Sequence, residues 1–185
     1  MTPAASVGED ERLRLFLALQ LPGDVLRALA RWQALHLRGG RLVPRGHLHV
    51  TLAFLGARPT RELPSIVETL RDACRRTGRI ELEPVSWRET RSVGMLVLRD
   101  RGDEAAALAT RLHDRLAALG VYRPEARRWL AHVTALRFRE RPRLDPPLPE
   151  TGTFVPSGAA AYLSRLHPSG ARYEVLERVS LIEGG

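Results

Sequence analysis

The hydrophobic pattern of the chain switches repeatedly between a period of two and a period near 3.6, which predicts alternating strands and helices. Residues 13–21 (LRLFLALQL) read as a strand. Asp24 can cap a helix whose Val25, Leu29 and Trp32 share one face and which ends at Gly39 and Gly40. Residues 47–56 (HLHVTLAFLG) follow as a strand in which Val50, Leu52, Phe54 and Leu55 call for an apolar environment, closed by Gly56. Thr60 opens a second helix with Leu63, Val67, Leu70 and Cys74 inward, stopping at Gly78. RIELEPVSW and VGMLVL read as two strands joined by a polar turn. Asp103 starts a third helix, apolar at Leu108, Leu112 and Leu119, with Gly120 just past its end. A strand within WLAHVTALRF (from residue 129), a Pro-rich loop from Pro142 to Pro149, and two strands at about 159–166 and 172–181 around an LHPSG turn complete the chain.

This order predicts an α+β fold with a weak internal duplication, because strand, helix and then a His-Val-Thr strand occur once in each half. The expected architecture is a bilobal, pseudo-twofold arrangement of two antiparallel-rich sheets around a central cleft, with helices outside. Residues 1–11 read as a flexible N-terminal tail and residues 12–185 as a single bilobal domain.

Two polar interruptions of apolar strands carry the chemistry. In a strand residues i and i+2 point the same way, so His49 and Thr51 share one face while Val50 and Leu52 bury the other. His132 and Thr134 repeat the arrangement. A twofold relation between the halves would bring two imidazoles and two hydroxyls to one cleft. That set suits acid–base phosphoryl chemistry: one neutral ring accepts a proton, one charged ring donates, and the hydroxyls bond non-bridging phosphate oxygens. The alternative is a pair of hydrogen-bonded core histidines. His36 and His113 fall on helices and read as surface residues. His47 shares a face with His49, but no third ligand has suitable spacing and there is no cysteine cluster, so no metal is expected.

Composition changes this picture only modestly. A net charge of +8 favours an anionic partner. All 29 basic residues are arginine, a bias that also follows from a GC-rich coding habit, so charge supports an RNA-type ligand without establishing one. No apolar run reaches the length of a membrane helix, the opening residues lack a signal-peptide pattern, and Cys74 has no partner for an internal disulfide; a reduced, cytoplasmic setting is expected.

Four spaced stretches carry a family resemblance. RLFLALQLP, HLHVTLAFLG, AHVTALRF and SRLHPSGARYEVL, the last with Ser164, Leu166, Pro168, Gly170 and Tyr173, resemble in order the opening strand, the two signatures and the closing hairpin of the two-histidine phosphoesterases. Within that superfamily the chain resembles the RNA 2′,3′-cyclic phosphodiesterases once described as 2′-5′ RNA ligases (LigT-like). Ala131 departs from the proline usual before the second histidine, and GAAA (158–161) departs from a bulkier strand. The resemblance implies a metal-independent, cofactor-free hydrolase that opens the 2′,3′-cyclic phosphate of RNA to a 2′-phosphate. It makes His49 the proton donor and His132 the proton acceptor, a division that the near-symmetric motifs do not themselves supply. Thr51, Thr134 and Arg137, three residues after the second threonine, are the implied substrate-binding residues. Arg14, Phe16 and Tyr173 are further candidates for lining the cleft.

The expected partners are RNA ends or nucleotides with a cyclic phosphate; no membrane partner is expected, and nothing calls for more than a monomer. Competing readings are a 2′-5′ RNA ligase, a phosphodiesterase acting on 2′-5′ oligonucleotides or other small cyclic phosphodiesters, and a non-catalytic RNA-binding module.

Overall fold

A computed structural model describes residues 11–181. Most of the expected tail, residues 1–10, lies outside the described residues. β1 (Arg12–Gln20) begins immediately after Glu11, whose carbonyl accepts bonds from the Thr60 backbone and hydroxyl, both at 2.9 Å. The chain continues through α1 (Gly23–His36), β2 (Arg41–Leu42), β3 (His49–Pro59) and α2 (Leu63–Arg75). It then forms β4 (Leu82–Glu89), β5 (Val93–Asp100), α3 (Glu104–Ala118), β6 (His132–Arg137), β7 (Gly158–Arg165) and β8 (Arg172–Val179).

The strands pair antiparallel throughout, in the order β4-β5-β6-β3-β1-β7-β8, with β2 also on β6. The expected two sheets are therefore continuous, but only just. One paired residue, Val50 on β3 with Val133 on β6, joins the β1-β3-β7-β8 group to the β4-β5-β6 group. Further along β6, the same edge is taken by β2, where Arg41 faces Arg137 and Leu42 faces Leu136. The two groups thus meet at a point and separate beyond it.

One face of this assembly is the core. Leu13, Leu15, Leu17 and Leu19 alternate inward from β1, and Val50, Leu52 and Val133 do so from the central strands. The helices cover this face with Val25, Leu29 and Trp32 from α1, Ile66, Leu70 and Cys74 from α2, and Leu108, Leu112 and Leu116 from α3. Burying leucine-sized side chains of this kind stabilises by ~1.5–3 kcal/mol each.

The expected elements are present with instructive differences. Asp24 does not cap α1; Pro22 occupies that position and Asp24 lies in the first turn, where its charge complements the helix dipole. Thr60 opens a short 3₁₀ turn ahead of α2 rather than the α-helix itself. Leu119 is 49% exposed, because α3 ends at Ala118 and its last inward position is Leu116. Gly56 does not close β3, which runs on to Pro59. Two-residue β2 has too short a pattern to announce itself in the sequence.

Candidate active site

The single Val50–Val133 pair determines what faces the cleft. Both valines point into the core, 0% and 1% exposed. The half-buried residues on either side, His49 and Thr51 on β3 and His132 and Thr134 on β6, therefore all project to the opposite face. Antiparallel sense sets each histidine toward the other strand's threonine. The four residues picked from the sequence are brought together by one local twofold.

A second correspondence lies three residues further on. The partner of Ala18 on β3 is Thr51 and that of Leu17 is Ala53, so Leu52 is an extra, bulged residue. On β6, Met95 pairs with Thr134 and Gly94 with Leu136, so Ala135 is bulged. Each bulge shifts the alternation by one residue. Phe54 and Arg137 consequently return to the cleft face after Thr51 and Thr134. This corrects the expectation of a buried Phe54, which is 63% exposed.

Each bulged carbonyl takes a donor from a helix of the other half, Ala135 in addition to the Val43 N–H at 3.0 Å. Gln33 on α1, 2% exposed, donates to the Ala135 carbonyl at 2.8 Å and to the Val43 carbonyl at 3.0 Å. His113 on α3 donates through Nε2 to the Leu52 carbonyl at 2.7 Å and stacks on Tyr122 at 4.7 Å. His113 is thus part of the support of β3, not the surface residue expected. Trp129 adds a bond across the seam, from Nε1 to the Thr51 carbonyl at 3.0 Å. Sequence reading missed Gln33 and Trp129; a Gln beside Trp32 on an otherwise apolar helix face was the available signal.

Both imidazoles are oriented by the same device. His49 Nδ1 donates to the His47 carbonyl at 2.7 Å, and His132 Nδ1 donates to the Leu130 carbonyl at 2.8 Å. With Nδ1 carrying a proton, Nε2 is the atom free to exchange one. His49 Nε2 also lies 2.9 Å from Thr51 Oγ1, whose hydroxyl donates to the neutral ring.

Their surroundings differ. His49 lies 5.0 Å from the Phe16 ring and 5.7 Å from Tyr173, and Phe16 in turn stacks on Tyr162 at 4.9 Å. Burial in this aromatic wall pushes the His49 pKa down to about 4. The bond to the His47 carbonyl opposes that shift, while repulsion by His132, His47 and Arg137 reinforces it. His47 is also lowered by burial, its ring 4.4 Å from Tyr173. His132 belongs to the more open side of the cleft.

A cavity of about 680 Å³ lies behind the aromatic wall of His49, lined by Phe16, Tyr173 and His47 but not by His49, Thr51, His132 or Thr134 themselves. Of the further residues proposed from the sequence, Arg14, Phe16, Tyr173 and Arg137 line it together with Phe54. Among the described residues, no group of three His, Cys, Asp or Glu side chains could hold a metal ion.

Known proteins resemble this chain in sequence and fold. A family model described as LigT-like phosphoesterase matches residues 19–90. An RNA 2′,3′-cyclic phosphodiesterase of Thermus thermophilus is 34% identical over 187 residues, covering 91% of this chain and 90% of that protein. The chain belongs to the LigT-like phosphoesterase family. A second family member, the RNA 2′,3′-cyclic phosphodiesterase of Escherichia coli, is 28% identical across 94% of this chain and 99% of its own length. The crystal structure of E. coli LigT complexed with 3′-AMP superposes with a TM-score of 0.79 at 25% identity, covering 94% of this chain and all of that one. The family fold accounts for the continuous antiparallel sheet with three helices.

Proposed function

We propose that this chain is an RNA 2′,3′-cyclic phosphodiesterase, a hydrolase that converts the terminal cyclic phosphate of RNA to a 2′-phosphate. The observation that carries the reading is the set of four side chains around Val50–Val133, with each Nδ1 committed to a carbonyl so that Nε2 is the nitrogen that exchanges a proton. The names of the E. coli and T. thermophilus relatives point to the same substrate class.

In the proposed reaction, His132 Nε2 removes a proton from water as its oxygen attacks phosphorus in line. The P–O3′ bond breaks, and His49 Nε2–H protonates the departing 3′ oxygen. One P–O bond forms and one breaks, with no redox change. The open position of His132 suits contact with water, whereas His49 is enclosed beside the aromatic wall. Thr51, Thr134 and Arg137 hold the non-bridging oxygens.

The low pKa of His49 fits this role only when the substrate is bound. A cyclic phosphate monoanion beside the ring offsets the repulsion from His132, His47 and Arg137 and raises the pKa toward the working range. The substrate therefore helps to load its own general acid. The Nδ1–carbonyl bonds, the hydroxyls and Arg137 supply this chemistry without a metal or a nucleotide cofactor. We place the enzyme in the cytoplasm and assign it a monomer; no helix among the described residues is long and apolar enough to cross a membrane.

The test is incubation with an RNA oligonucleotide ending in a 2′,3′-cyclic phosphate, followed by separation of the 2′- and 3′-phosphate products. A 2′-phosphate product is expected. No product, or a 3′-phosphate, would overturn the assignment, and joining to a 5′-hydroxyl end would favour the ligase reading.

A further inference from the structure

The cavity lined by Phe16 and Tyr173 holds more positive charge than one cyclic phosphate needs. Arg14, Arg41 and Arg137 line it together with His47, and no Asp or Glu does. Several exposed arginines elsewhere on the molecule are paired with acids, among them Arg99 and Arg101 with Glu83, Arg115 and Arg75 with Asp72, and Arg141 with Glu89. Among the described residues, Arg14, Arg41 and Arg137 have no carboxylate partner. Arg41 and Arg137 stand directly opposite one another across β2 and β6, a like-charge juxtaposition that destabilises a sheet unless an anion relieves it.

Nor is Arg41 a free surface side chain. Its Nη1 donates to the Ser169 carbonyl at 2.8 Å, which anchors the guanidinium on the β7–β8 turn at the cavity wall. Gly170 completes that turn at φ 119°, in the region that favours glycine, and a Cβ there would lie 2.4 Å from Nη1. Arg14 is on the cleft face of β1, one i,i+2 step (~6.5 Å) beyond Phe16, whose ring touches His49. An anion between Arg14 and Arg41 is therefore displaced from the scissile phosphate along the wall formed by Phe16 and Tyr173.

Resting on the proposed function, we propose that Arg14 and Arg41 form a second anion subsite that takes the phosphate on the 5′ oxygen of the terminal nucleotide. In an RNA strand that group is the phosphodiester to the preceding residue; in a nucleotide it is a 5′-phosphomonoester. The subsite makes the enzyme prefer a strand end over a bare nucleoside 2′,3′-cyclic phosphate.

Three adenosine substrates test this: the nucleoside 2′,3′-cyclic phosphate, its 5′-phosphorylated form, and the dinucleotide ending in the cyclic phosphate. Both 5′-substituted substrates should exceed the bare nucleoside in kcat/KM by about tenfold or more, mainly through KM. In Arg14→Gln and Arg41→Gln that advantage should shrink, whereas Arg99→Gln, on β5 opposite Glu83 of the edge strand β4, should retain it. Each subsite variant should also lower the salt dependence of dinucleotide KM by about 0.7 in the log–log slope. An advantage confined to the dinucleotide, or one that survives both variants, would overturn the subsite. No turnover of any of the three substrates by the unmodified enzyme would instead overturn the proposed function.

Discussion

On β3, the six residues His49 to Phe54 place an imidazole, a hydroxyl and a phenyl ring on the cleft face. On β6, His132 to Arg137 place an imidazole, a hydroxyl and a guanidinium in the same order. The backbone is shared down to the bulge after each threonine, the carbonyl that holds each Nδ1, and the donor that a helix of the opposite half sends to the bulged carbonyl. What differs is what surrounds each ring. β3 is walled by Phe16, Tyr162 and Tyr173, which lower the His49 pKa; the β6 side is open and carries the cation. The repeated strand pattern gives the two rings a symmetric frame. The flanking residues make their surroundings unequal, and on that difference the proposed acid and base roles rest.

The largest effect should come from removing either ring. His49→Ala and His132→Ala should each lower kcat by ~10²–10⁴-fold while leaving circular dichroism and thermal unfolding close to those of the parent. A variant that retained activity would break the pairing of the two halves.

The third positions come next. Arg137→Gln should lower kcat/KM by about 10- to 100-fold, the loss of a charge-assisted bond to phosphate. Phe54→Ala, exposed and apolar, should change KM by only several-fold with kcat nearly intact, consistent with one stacking contact. Equal effects on both parameters in the two variants would remove the distinction between a cation that acts on the reacting phosphate and a ring that holds the nucleotide.

The supporting donors are compared in the same way. Gln33→Leu and His113→Leu each leave the carbonyl of a bulged residue without its helix donor, and each should cost ~1–3 kcal/mol of stability by denaturant unfolding. Activity measured well below the unfolding midpoint should fall as well, because the bulge aims Arg137 in one case and Phe54 in the other. A stability loss without an activity loss would make these side chains purely structural.

The last comparison is a dependence on pH, which vanishes above the ordinary histidine range. His49 titrates near 4 in the folded protein against 6.5 ordinarily, so the unfolded chain takes up the proton first as pH falls. Its contribution to stability is complete above pH 6.5 and is lost between 6.5 and 4, by at most ~3 kcal/mol. Unfolding of the parent and of His49→Gln should diverge across that window. Inorganic phosphate should raise the His49 titration midpoint in an NMR experiment; an unmoved midpoint would contradict the view that the substrate loads the acid.

Much of this was legible in the sequence because period-two alternation states which residues share a strand face. His49 with Thr51 and His132 with Thr134 follow from that alone, and their meeting follows from the duplication of strand, helix and strand. Phe54 was misplaced because a bulge resets the alternation, and no residue type at Leu52 announces one. Gln33, His113 and Trp129 act across 61 to 102 residues of sequence, on backbone carbonyls that no side-chain pattern reveals. The charge of the cavity was hidden as well. Arginine is spread along the whole chain, and only the fold shows which guanidiniums lack an acid.

The central claim is that two equivalent imidazoles perform opposite proton transfers, and a leaving-group substitution addresses it most directly. A cyclic phosphorothiolate with sulfur in place of the 3′ oxygen needs little protonation as its P–S bond breaks. The account predicts that this substrate restores a large part of the turnover lost in His49→Ala and little of that lost in His132→Ala. Rescue of His132→Ala alone would reverse the roles, and rescue of neither would contradict acid catalysis by His49.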